Sequence, residues 1–300
     1  MKKELEIQLA QVLRGKLLVN EPMSLHTSLK VGGPADFFAV PADLADLRSL
    51  VSFLGLNEVP WMVVGGGYNL LVRDGGFRGV VISLEALNRL ECKEGNLVCA
   101  EAGVSNRGLA DFAGEHALSG LEFLIGIPGR LGGAVAMNAG AGGQAIADRL
   151  ESLTTLRKGV VTEIRNGMMH FGYRFMSLEP GEIILGACFR LEKGSRAVIA
   201  DRVEAVLEQR RSSQQVGYPN AGSFFKNPDG KSAWRLIDEA GLRGCRIGGA
   251  QVSEAHANFL VNRAGATAAD FIALAEQIRN GVLKTTGILL EEEVKIVGED

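Results

Sequence analysis

The sequence predicts an α+β protein, and three observations along its 300 residues support this class. Strand-like and helix-like segments alternate over residues 35–84, as in a small α/β lobe. From about residue 85 the pattern changes to short strands separated by glycine, with one helix near 105–117. After residue 195 longer helical patterns dominate, so we expect a third region in which helices accompany a few strands.

Residues 1–84 form the first predicted lobe. A strand-like run is closed by Pro41, because proline removes a backbone donor and ends regular pairing. Apolar residues at helical spacing follow it, and two further apolar runs come after the helix. The predicted elements are a strand at 35–40, a helix at 42–54 and strands at 61–64 and 79–84.

Residues 85–194 form the second predicted lobe and residues 195–293 the third region. Glutamates alternate with Val294 and Ile296, which predicts a last strand whose end, 294–300, is a candidate to return to the first lobe. The predicted strands are 97–101, 152–156, 161–164, 183–191 and 288–297, and the predicted helices are 195–213, 232–240 and 268–284.

The composition is that of a globular protein without a nucleic-acid footprint. Apolar residues make up 46% of the chain, charged residues 22%, and the formal net charge is −3, whereas a nucleic-acid-binding surface is usually strongly basic. No apolar run reaches the roughly 18 residues of a membrane span, and the N-terminal residues do not resemble a signal peptide. We therefore expect a cytoplasmic protein with small-molecule substrates and neither nucleic-acid nor membrane partners.

The cysteines and histidines carry no recognisable motif. Cys92, Cys99, Cys188 and Cys245 show no CxxC spacing and have apolar neighbours, so we expect buried free thiols in a reducing cytosol. The four histidines form neither an HxxxH nor an HExxH pair, so no metal site is predicted.

Two glycine-rich segments, 61–72 and 126–143, stand out among the 39 glycines. The first is a strand, the triplet Gly65-Gly66-Gly67 and another strand, and the second is small-residue backbone with almost no charge. Backbone without Cβ atoms can aim successive N–H groups at an anion, which suits an extended ligand such as a dinucleotide. A GxGxxA match at 140–145 is weak because no clear strand precedes it. Tight turns without a ligand are the alternative.

The segment 219–228 reads Pro-Asn-Ala-Gly-Ser-Phe-Phe-Lys-Asn-Pro. Prolines at both ends predict a rigid loop rather than a helix or a central strand. A hydroxyl held there beside a cation could deliver a proton at a defined point, which makes Ser223 a candidate catalytic residue. A loop hydroxyl that bonds the backbone is the alternative.

Six motifs in this order resemble one enzyme family over nearly the whole chain. They lie at 26–35, 64–72, 125–140, 172–174, 220–228 and 290–298. The family that they resemble is UDP-N-acetylenolpyruvoylglucosamine reductase, which makes UDP-N-acetylmuramate for bacterial peptidoglycan.

The resemblance implies non-covalently bound FAD in a fold of the vanillyl-alcohol-oxidase/PCMH type. Two lobes would bind FAD, and a C-terminal α+β domain would bind the substrate. NADPH would reduce the flavin and leave. The enolpyruvyl substrate would then take a hydride from flavin N5 at C3, and its C2 would be protonated. Only 49 positions separate Arg174 from Ser223, so we assign the shorter type (type II), without the tyrosine-bearing loop of the longer one.

The resemblance also assigns roles to individual residues. Ser223 would be the proton donor, and Arg174 and Glu293 would lie at the substrate carboxylate and the developing enolate. The predicted FAD contacts are Val64, Gly65, Gly66, Gly67, Tyr68, Asn69, Leu70, Gly126, Ile127, Pro128, Gly132, Gly133, Ala136, Asn138, Ala139 and Gly140. The predicted substrate contacts are Tyr173, Lys226, Asn227, His256 and Asn258.

The chemistry is consistent with these residue types. An arginine offers a permanently charged planar fork to a carboxylate, and serine can act as an acid only towards a strongly basic carbanion. The residues alone leave other roles open: a surface ion pair for Arg174, a solvated chain end for Glu293, and a place in the core for His256.

Two other functions compete with the reductase. One is another flavin oxidoreductase of the same fold, although such enzymes often attach flavin through a histidine or cysteine that neither glycine-rich segment contains. The other is a non-catalytic module that binds UDP-sugars, which would have no need for Arg174, Ser223 and Glu293 together.

Overall fold

The computed structural model describes residues 2–214 and 216–300 of the chain. Side chains cap the first turns of the helices that follow Asp43 and Ser105, since that of Asp43 accepts a hydrogen bond from the backbone N–H of Asp46 and that of Ser105 from Gly108. The helices are α1 (Lys2–Val12), α2 (Leu44–Leu56), α3 (Asn106–Glu115), α4 (Leu131–Ala136), α5 (Arg196–Gln214), α6 (Ala233–Glu239) and α7 (Ala268–Thr286).

The strands are short, and most lie between residues 61 and 193. They are β1 (Lys16–Pro22), β2 (Pro34–Val40), β3 (Trp61–Val64), β4 (Leu70–Val72), β5 (Phe77–Ser83), β6 (Leu90–Lys93), β7 (Leu97–Glu101), β8 (Leu118–Ser119), β9 (Gly140–Ala141), β10 (Gln144–Ala145), β11 (Leu150–Arg157), β12 (Val160–Arg165), β13 (Phe171–Gly172), β14 (Phe175–Met176), β15 (Ile183–Arg190), β16 (Glu192–Lys193), β17 (Asn220–Ser223), β18 (Arg246–Ile247), β19 (Ala250–Val252), β20 (Phe259–Asn262) and β21 (Lys295–Val297).

The chain divides into two compact units. The first unit comprises residues 1–19, 37–66 and 79–210. It contains a sheet of order β1-β2-β5-β3 and a five-stranded sheet of order β12-β11-β15-β7-β6. The pairings of the five-stranded sheet are antiparallel, and a single apolar cluster that includes Phe37, Leu109 and Phe189 fills the unit.

The second unit comprises residues 20–36, 67–78 and 211–300. Its antiparallel sheet has the order β17-β20-β19-β18, and α6 and α7 share its apolar core, to which Phe224, Phe225 and Phe271 contribute. A capping box between Thr267 and Asp270 begins α7, and Gly287 ends it at φ +73°. The last strand, β21, pairs in parallel with β4.

The predicted class, α+β, is confirmed, and the helices and most strands lie within a few residues of their predicted bounds. Strands β3 and β7 match their predicted ranges at both ends. Periodicity located these elements because each carries an apolar face that packs on a single core. The division into three regions at 84, 194 and 293 stays a prediction.

Two of the predicted elements are wrong in part. The predicted rigid loop begins as β17, an edge strand over Asn220–Ser223, because proline at an edge leaves pairing on the other side intact. The predicted strand over 288–297 is reduced to β21. The residues before it are hydrogen-bonded to the serine segment, but the pairing there is one isolated bridge, between Phe225 and Glu292, and not a continuous strand.

The expectation of buried free thiols is wrong for three of the four cysteines. Cys99 and Cys188 form a disulfide, and Cys92 is exposed. The bonded pair lies at directly opposed positions of β7 and β15, with Cα atoms 4.0 Å apart. Because 89 positions separate the two residues along the chain, no spacing rule could reveal the pairing.

Residues 2–214 and 216–300 contain neither a candidate membrane-spanning helix nor a candidate metal-binding cluster. None of the helices in these ranges combines the length and apolar character that crossing a bilayer requires. The same residues contain no cluster of three or more histidine, cysteine, aspartate or glutamate side chains suited to a metal ion.

Candidate active site

The two glycine-rich segments meet in the first unit at Gly65 and Gly133. A Cβ atom placed on Gly65 would lie 3.9 Å from the backbone nitrogen of Gly133. Outside its own helix, no atom of the described residues lies within 4 Å of a Cβ position on Gly133, and both glycines are exposed. The two segments therefore present bare backbone on an open face, as a ligand that approaches the main chain closely requires.

The parallel pairing of β3 with β5 positions the first segment. Val64 pairs with Ser83 at the carboxyl ends of these strands, and Gly65 follows directly. Ligands in sheets with parallel strands commonly bind beyond the carboxyl ends, where the connecting backbone turns away. The first glycine therefore lies where a bound cofactor is expected.

Gly67 occupies a position that only glycine fits. Its φ is +65°, and a Cβ atom would lie 1.9 Å from the carbonyl oxygen of His26. The carbonyl oxygen of Gly67 accepts hydrogen bonds from the backbone N–H of Ser28 at 3.1 Å and from its hydroxyl at 3.3 Å. These contacts, all within the second unit, fix the end of the glycine triplet.

Asn138 and Gly140 fix the second segment. Asn138 lies in the left-handed region at φ +44°; its side-chain amide donates to the carbonyl of Gly172 at 3.1 Å and accepts from the N–H of Ala147 at 3.0 Å. A Cβ on Gly140 would lie 2.4 Å from the carbonyl oxygen of Gln144. The small residues of this segment thus allow a close hairpin, and Asn138 joins it to the strand before Arg174.

Arg174 lies in the two-residue turn between β13 and β14, which pair at Gly172 and Phe175. Its φ of +57° is unfavourable for a residue with a Cβ atom, and such backbone strain often marks a functional position. The guanidinium donates to the carbonyl of Gly140 at 3.1 Å and lies 5.3 Å from the ring centroid of Tyr173. The fold thus holds this arginine against the second glycine-rich segment.

Ser223 is the last residue of β17 and is half-buried. It pairs with Phe259 of β20, and the preceding Gly222 adopts φ +74°. The side chain of Asn220 accepts a hydrogen bond from the N–H of Gly222 at 2.9 Å. A short, locally bonded turn therefore presents the hydroxyl at the end of an edge strand.

Asn258 holds the backbone that follows Ser223. Its side chain is buried, accepts from the N–H of Phe225 at 3.0 Å and donates to the carbonyl of the same residue at 2.8 Å. Its own carbonyl accepts from the N–H of Phe224 at 2.7 Å. Since both ends of the amide bond the protein, the structure gives Asn258 a positioning role, and its predicted contact with substrate stays a prediction.

The serine segment is hydrogen-bonded to the chain around Glu293. The N–H of Glu293 donates to the carbonyl of Phe224 at 2.8 Å. The carbonyl of Glu293 accepts from the side-chain amide of Asn69 at 2.9 Å, and the N–H of Lys295 donates to the carbonyl of Asn69 at 3.1 Å. Two predicted catalytic residues and one predicted cofactor contact are thus held together in the second unit.

The neighbouring charges of the glutamate triplet are paired. Lys226 forms an ion pair with Glu291, and Arg279 forms one with Glu292 at 3.1 Å. Glu291 and Glu292 are thus each paired with a cation, and the choice of Glu293 from the triplet still rests on the resemblance. The side chain of Asn227 accepts a hydrogen bond from the N–H of Ala233, where α6 begins.

His256 is half-buried beside Phe259, with ring centroids 4.5 Å apart, and 6.2 Å from the ring of Trp234. Burial lowers the pKa of its imidazole, because a charged ring loses hydration there. The buried Nδ1 atom has no hydrogen-bond partner among the described residues. His256 is therefore a neutral ring at neutral pH.

The predicted site residues divide between the two units. The first unit contains Val64, Gly65, Gly66, Gly126, Ile127, Pro128, Gly132, Gly133, Ala136, Asn138, Ala139, Gly140, Tyr173 and Arg174. The second contains Gly67, Tyr68, Asn69, Leu70, Ser223, Lys226, Asn227, His256, Asn258 and Glu293.

Sequence reasoning passed over Arg130, which lies beside the open glycines. The Cβ atom of Arg130 is 3.9 Å from the Cβ position on Gly65. The signal that could have found it is composition, since Arg130 is the one charged residue in the segment 126–143.

The first unit fits a dinucleotide cofactor by its own geometry. The bare backbone of Gly65 and Gly133 lies open where a side chain would otherwise stand, and the Cβ atom of an arginine, Arg130, lies beside it. Phosphate groups bind such arrangements of free backbone N–H groups and a nearby cation.

Two family models match the chain. The FAD binding domain matches residues 35–163, and the C-terminal domain of UDP-N-acetylenolpyruvoylglucosamine reductase matches residues 214–297. The first match covers the segment in which the glycines meet, and the second covers Ser223 and Glu293.

Curated relatives and a solved structure agree with these models. The reductase of Geotalea uraniireducens is 59% identical over 98% of both chains, and that of Geobacter metallireducens is 58% identical over 100% of both. The crystal structure of the enzyme from Thermus caldophilus is 34% identical, with a TM-score of 0.81 over 95% of this chain and 99% of that one.

The fold and the glycine-rich site define the class, an FAD-binding flavoprotein of the vanillyl-alcohol-oxidase/PCMH type. Full-length similarity at more than half identity specifies the family more closely. The chain belongs to the UDP-N-acetylenolpyruvoylglucosamine reductase family.

Proposed function

We propose that the protein reduces UDP-N-acetylenolpyruvoylglucosamine to UDP-N-acetylmuramate with NADPH, a step in the synthesis of peptidoglycan precursors. The observation that carries this proposal is the bonding of the serine segment to the chain at Glu293, which holds a hydroxyl and a carboxyl group on adjacent backbones. A binding module would need neither group. Both substrates are soluble nucleotides, and we propose that the reaction takes place in the cytoplasm.

FAD is the cofactor we propose, bound without a covalent bond at Gly65 and Gly133. The chemistry that it supplies when bound is the passage of a hydride equivalent between two substrates that need not meet. The chain's own part is to bind the phosphates with backbone N–H groups and to keep both glycine-rich segments rigid. Gly67 fixes the first segment and Asn138 the second.

The proposed role of Arg174 is to bind the substrate carboxylate. As hydride adds to the enolpyruvyl double bond, negative charge spreads from C2 into the carboxylate. A guanidinium can meet both carboxylate oxygens and stabilises that charge as it develops. The strained turn and the bond to Gly140 hold the guanidinium before substrate arrives, so little reorganisation is needed.

The proposed role of Ser223 is to donate a proton to C2 of the substrate. The new C–H bond forms as the O–H bond breaks, and solvent then restores the hydroxyl proton. Serine can do this because a carbanion is a far stronger base than an alkoxide in a stabilising environment. Glu293 is proposed to hydrogen-bond the substrate carboxylate in its protonated form, which the developing negative charge favours.

The two half-reactions test this assignment separately. In Ser223→Ala, bleaching of the flavin band by NADPH should keep its rate. Its recovery on addition of the enolpyruvyl substrate should slow about 10²- to 10⁴-fold, the usual contribution of general acid catalysis.

Two further variants sharpen this test. Ser223→Cys, which retains a proton donor, should recover part of the rate. Ser49→Ala removes an exposed hydroxyl that donates to the carbonyl of Ala45, and it serves as the control. Loss of bleaching in Ser223→Ala, or full recovery by the alanine variant, would show that Ser223 is not the acid.

A further inference from the structure

The site proposed for FAD contains one charged side chain in its two glycine-rich segments. Residues 61–72 contain no aspartate, glutamate, lysine or arginine, and residues 126–143 contain only Arg130. A diphosphate carries two negative charges, and backbone N–H groups supply only partial positive charges to balance them. The position of this one cation in the fold therefore bears directly on how the cofactor binds.

The structure places Arg130 at the point where the two segments meet. Its Cβ atom is 3.9 Å from the Cβ position on Gly65, and the backbone nitrogen of Gly133 lies at the same distance from that position. The side chain is 31% exposed. The arginine thus borders the open backbone, and part of it remains accessible to a ligand.

A main-chain contact holds the guanidinium in place. One terminal nitrogen donates to the carbonyl of Gly103 at 2.6 Å. Gly103 lies so close to the preceding loop that a Cβ atom on it would be 2.2 Å from the carbonyl oxygen of Leu84. Arg130 is therefore ordered before a ligand binds, which reduces the entropy lost on binding.

The remaining partner of Arg130 leaves most of its charge available. The other terminal nitrogen lies 3.2 Å from a carboxylate oxygen of Glu85, whose side chain is 49% exposed. Exposed ion pairs of this kind contribute little, because water screens them. A guanidinium has five N–H donors, and these two contacts use two of them.

We infer that Arg130 is the cation that neutralises the phosphate groups of the flavin, and that it sets the preference of the site for FAD over riboflavin. The inference rests on the proposed location of FAD at Gly65 and Gly133. A charge-assisted hydrogen bond to phosphate is stronger than a neutral one, and riboflavin has no phosphate to receive it. Arg130 therefore distinguishes two ligands that share the same ring system.

Competition between the two flavins measures this preference. The purified holoprotein is equilibrated with FAD and an excess of riboflavin, free flavin is removed, and the bound flavins are released and quantified. The ratio of bound FAD to bound riboflavin is the readout. Any general damage to the fold affects both ligands and cancels in this ratio.

In Arg130→Gln the ratio should fall about tenfold, the loss expected for one charge-assisted contact. Arg130→Lys, which retains the charge without the planar fork, should lie between that variant and the wild type. High salt should lower the wild-type ratio towards that of Arg130→Gln, because ions screen the contact. Arg107→Gln, which removes an arginine that is 72% exposed on α3, should match the wild type and is the control.

Glu85→Gln distinguishes a phosphate contact from a structural brace. If Arg130 neutralises phosphate, removal of the competing carboxylate should raise the ratio, whereas a brace predicts an unchanged or lower ratio. A ratio that stays at the wild-type value in Arg130→Gln, with both flavins weakened equally, would overturn the inference in favour of a brace.

Gly133→Leu tests the proposed location of FAD separately from the role of Arg130. The new Cβ atom would have no atom of the described residues within 4 Å outside its own helix, and the side chain would fill the open position, so binding of both flavins should be abolished. If that variant still binds FAD normally, the proposed location is wrong and the role of Arg130 fails with it. If Gly133→Leu loses both flavins but Arg130→Gln keeps its ratio, only the role of Arg130 is wrong.

Discussion

Asn258→Ala tests whether one buried amide holds the serine segment. The amide accepts from the N–H of Phe225 and donates to its carbonyl, at 3.0 and 2.8 Å, and Asn258 is only 2% exposed. Alanine would leave a buried donor and a buried acceptor without partners. Each such group costs about 1–3 kcal/mol, so the variant should lose about 2–6 kcal/mol of unfolding free energy in the second unit.

Hydrogen exchange is the direct assay for this effect. The amide of Phe225 should exchange far faster in Asn258→Ala, because its acceptor is gone, and the neighbouring amides of the serine segment should follow. Re-oxidation of the flavin by substrate should slow as well, since the hydroxyl of Ser223 would be less well positioned. Bleaching by NADPH should be less affected.

Asn57→Ala is the matched control. Its amide also donates to a backbone carbonyl, that of Phe53 at 2.8 Å, but in an exposed position at the end of α2. Water can replace that bond, so the change in stability should stay within about 0.5 kcal/mol. If Asn258→Ala exchanged and unfolded like Asn57→Ala, the amide would not be what holds the serine segment.

Three further predictions follow from the geometry. Gly67→Ala should reduce the free energy of unfolding by well over the roughly 1–2 kcal/mol of a left-handed alanine, because its Cβ would overlap the His26 carbonyl. The thermal midpoint should fall accordingly. Gly142→Ala, at φ +61° with no atom of the described residues within 4 Å, should show only that smaller cost. Burial lowers the pKa of His256, so the unfolded chain takes up its proton first below about pH 6.5, and stability should fall as the pH falls. Denaturant titrations should show a weaker pH dependence in His256→Gln. Arg174→Lys should lower the rate of flavin re-oxidation about tenfold or more by losing the planar fork, and a near-native kcat would refute this.

Periodicity and turn residues were sufficient for much of the fold. The apolar faces of α2, α3 and α7 each pack on one core, so their spacing is visible in the sequence, and β3 matched its predicted range. The last strand was overextended because alternation also occurs where a chain passes half-buried over a surface. Leu290 and Val294 are buried although neither lies in a strand.

Two features of the candidate site were beyond sequence reasoning because they depend on distant pairings. The contact of Asn258 with substrate stays a prediction, and only the position of Phe225, 33 residues away, shows that its amide bonds the backbone. The pairing of Cys99 with Cys188 likewise depends on which strands are neighbours in a sheet.

The sequence by itself determined the α+β class, the two glycine-rich segments and the residue types that flavin chemistry needs, because these depend on local backbone freedom and on side-chain chemistry. Only the tertiary structure decided that Gly65 meets Gly133, that Arg130 lies beside them and that Glu293 is bonded to the serine segment. Such contacts join residues more than sixty positions apart along the chain. They arise from how strands pair and where chains cross, which no local pattern records.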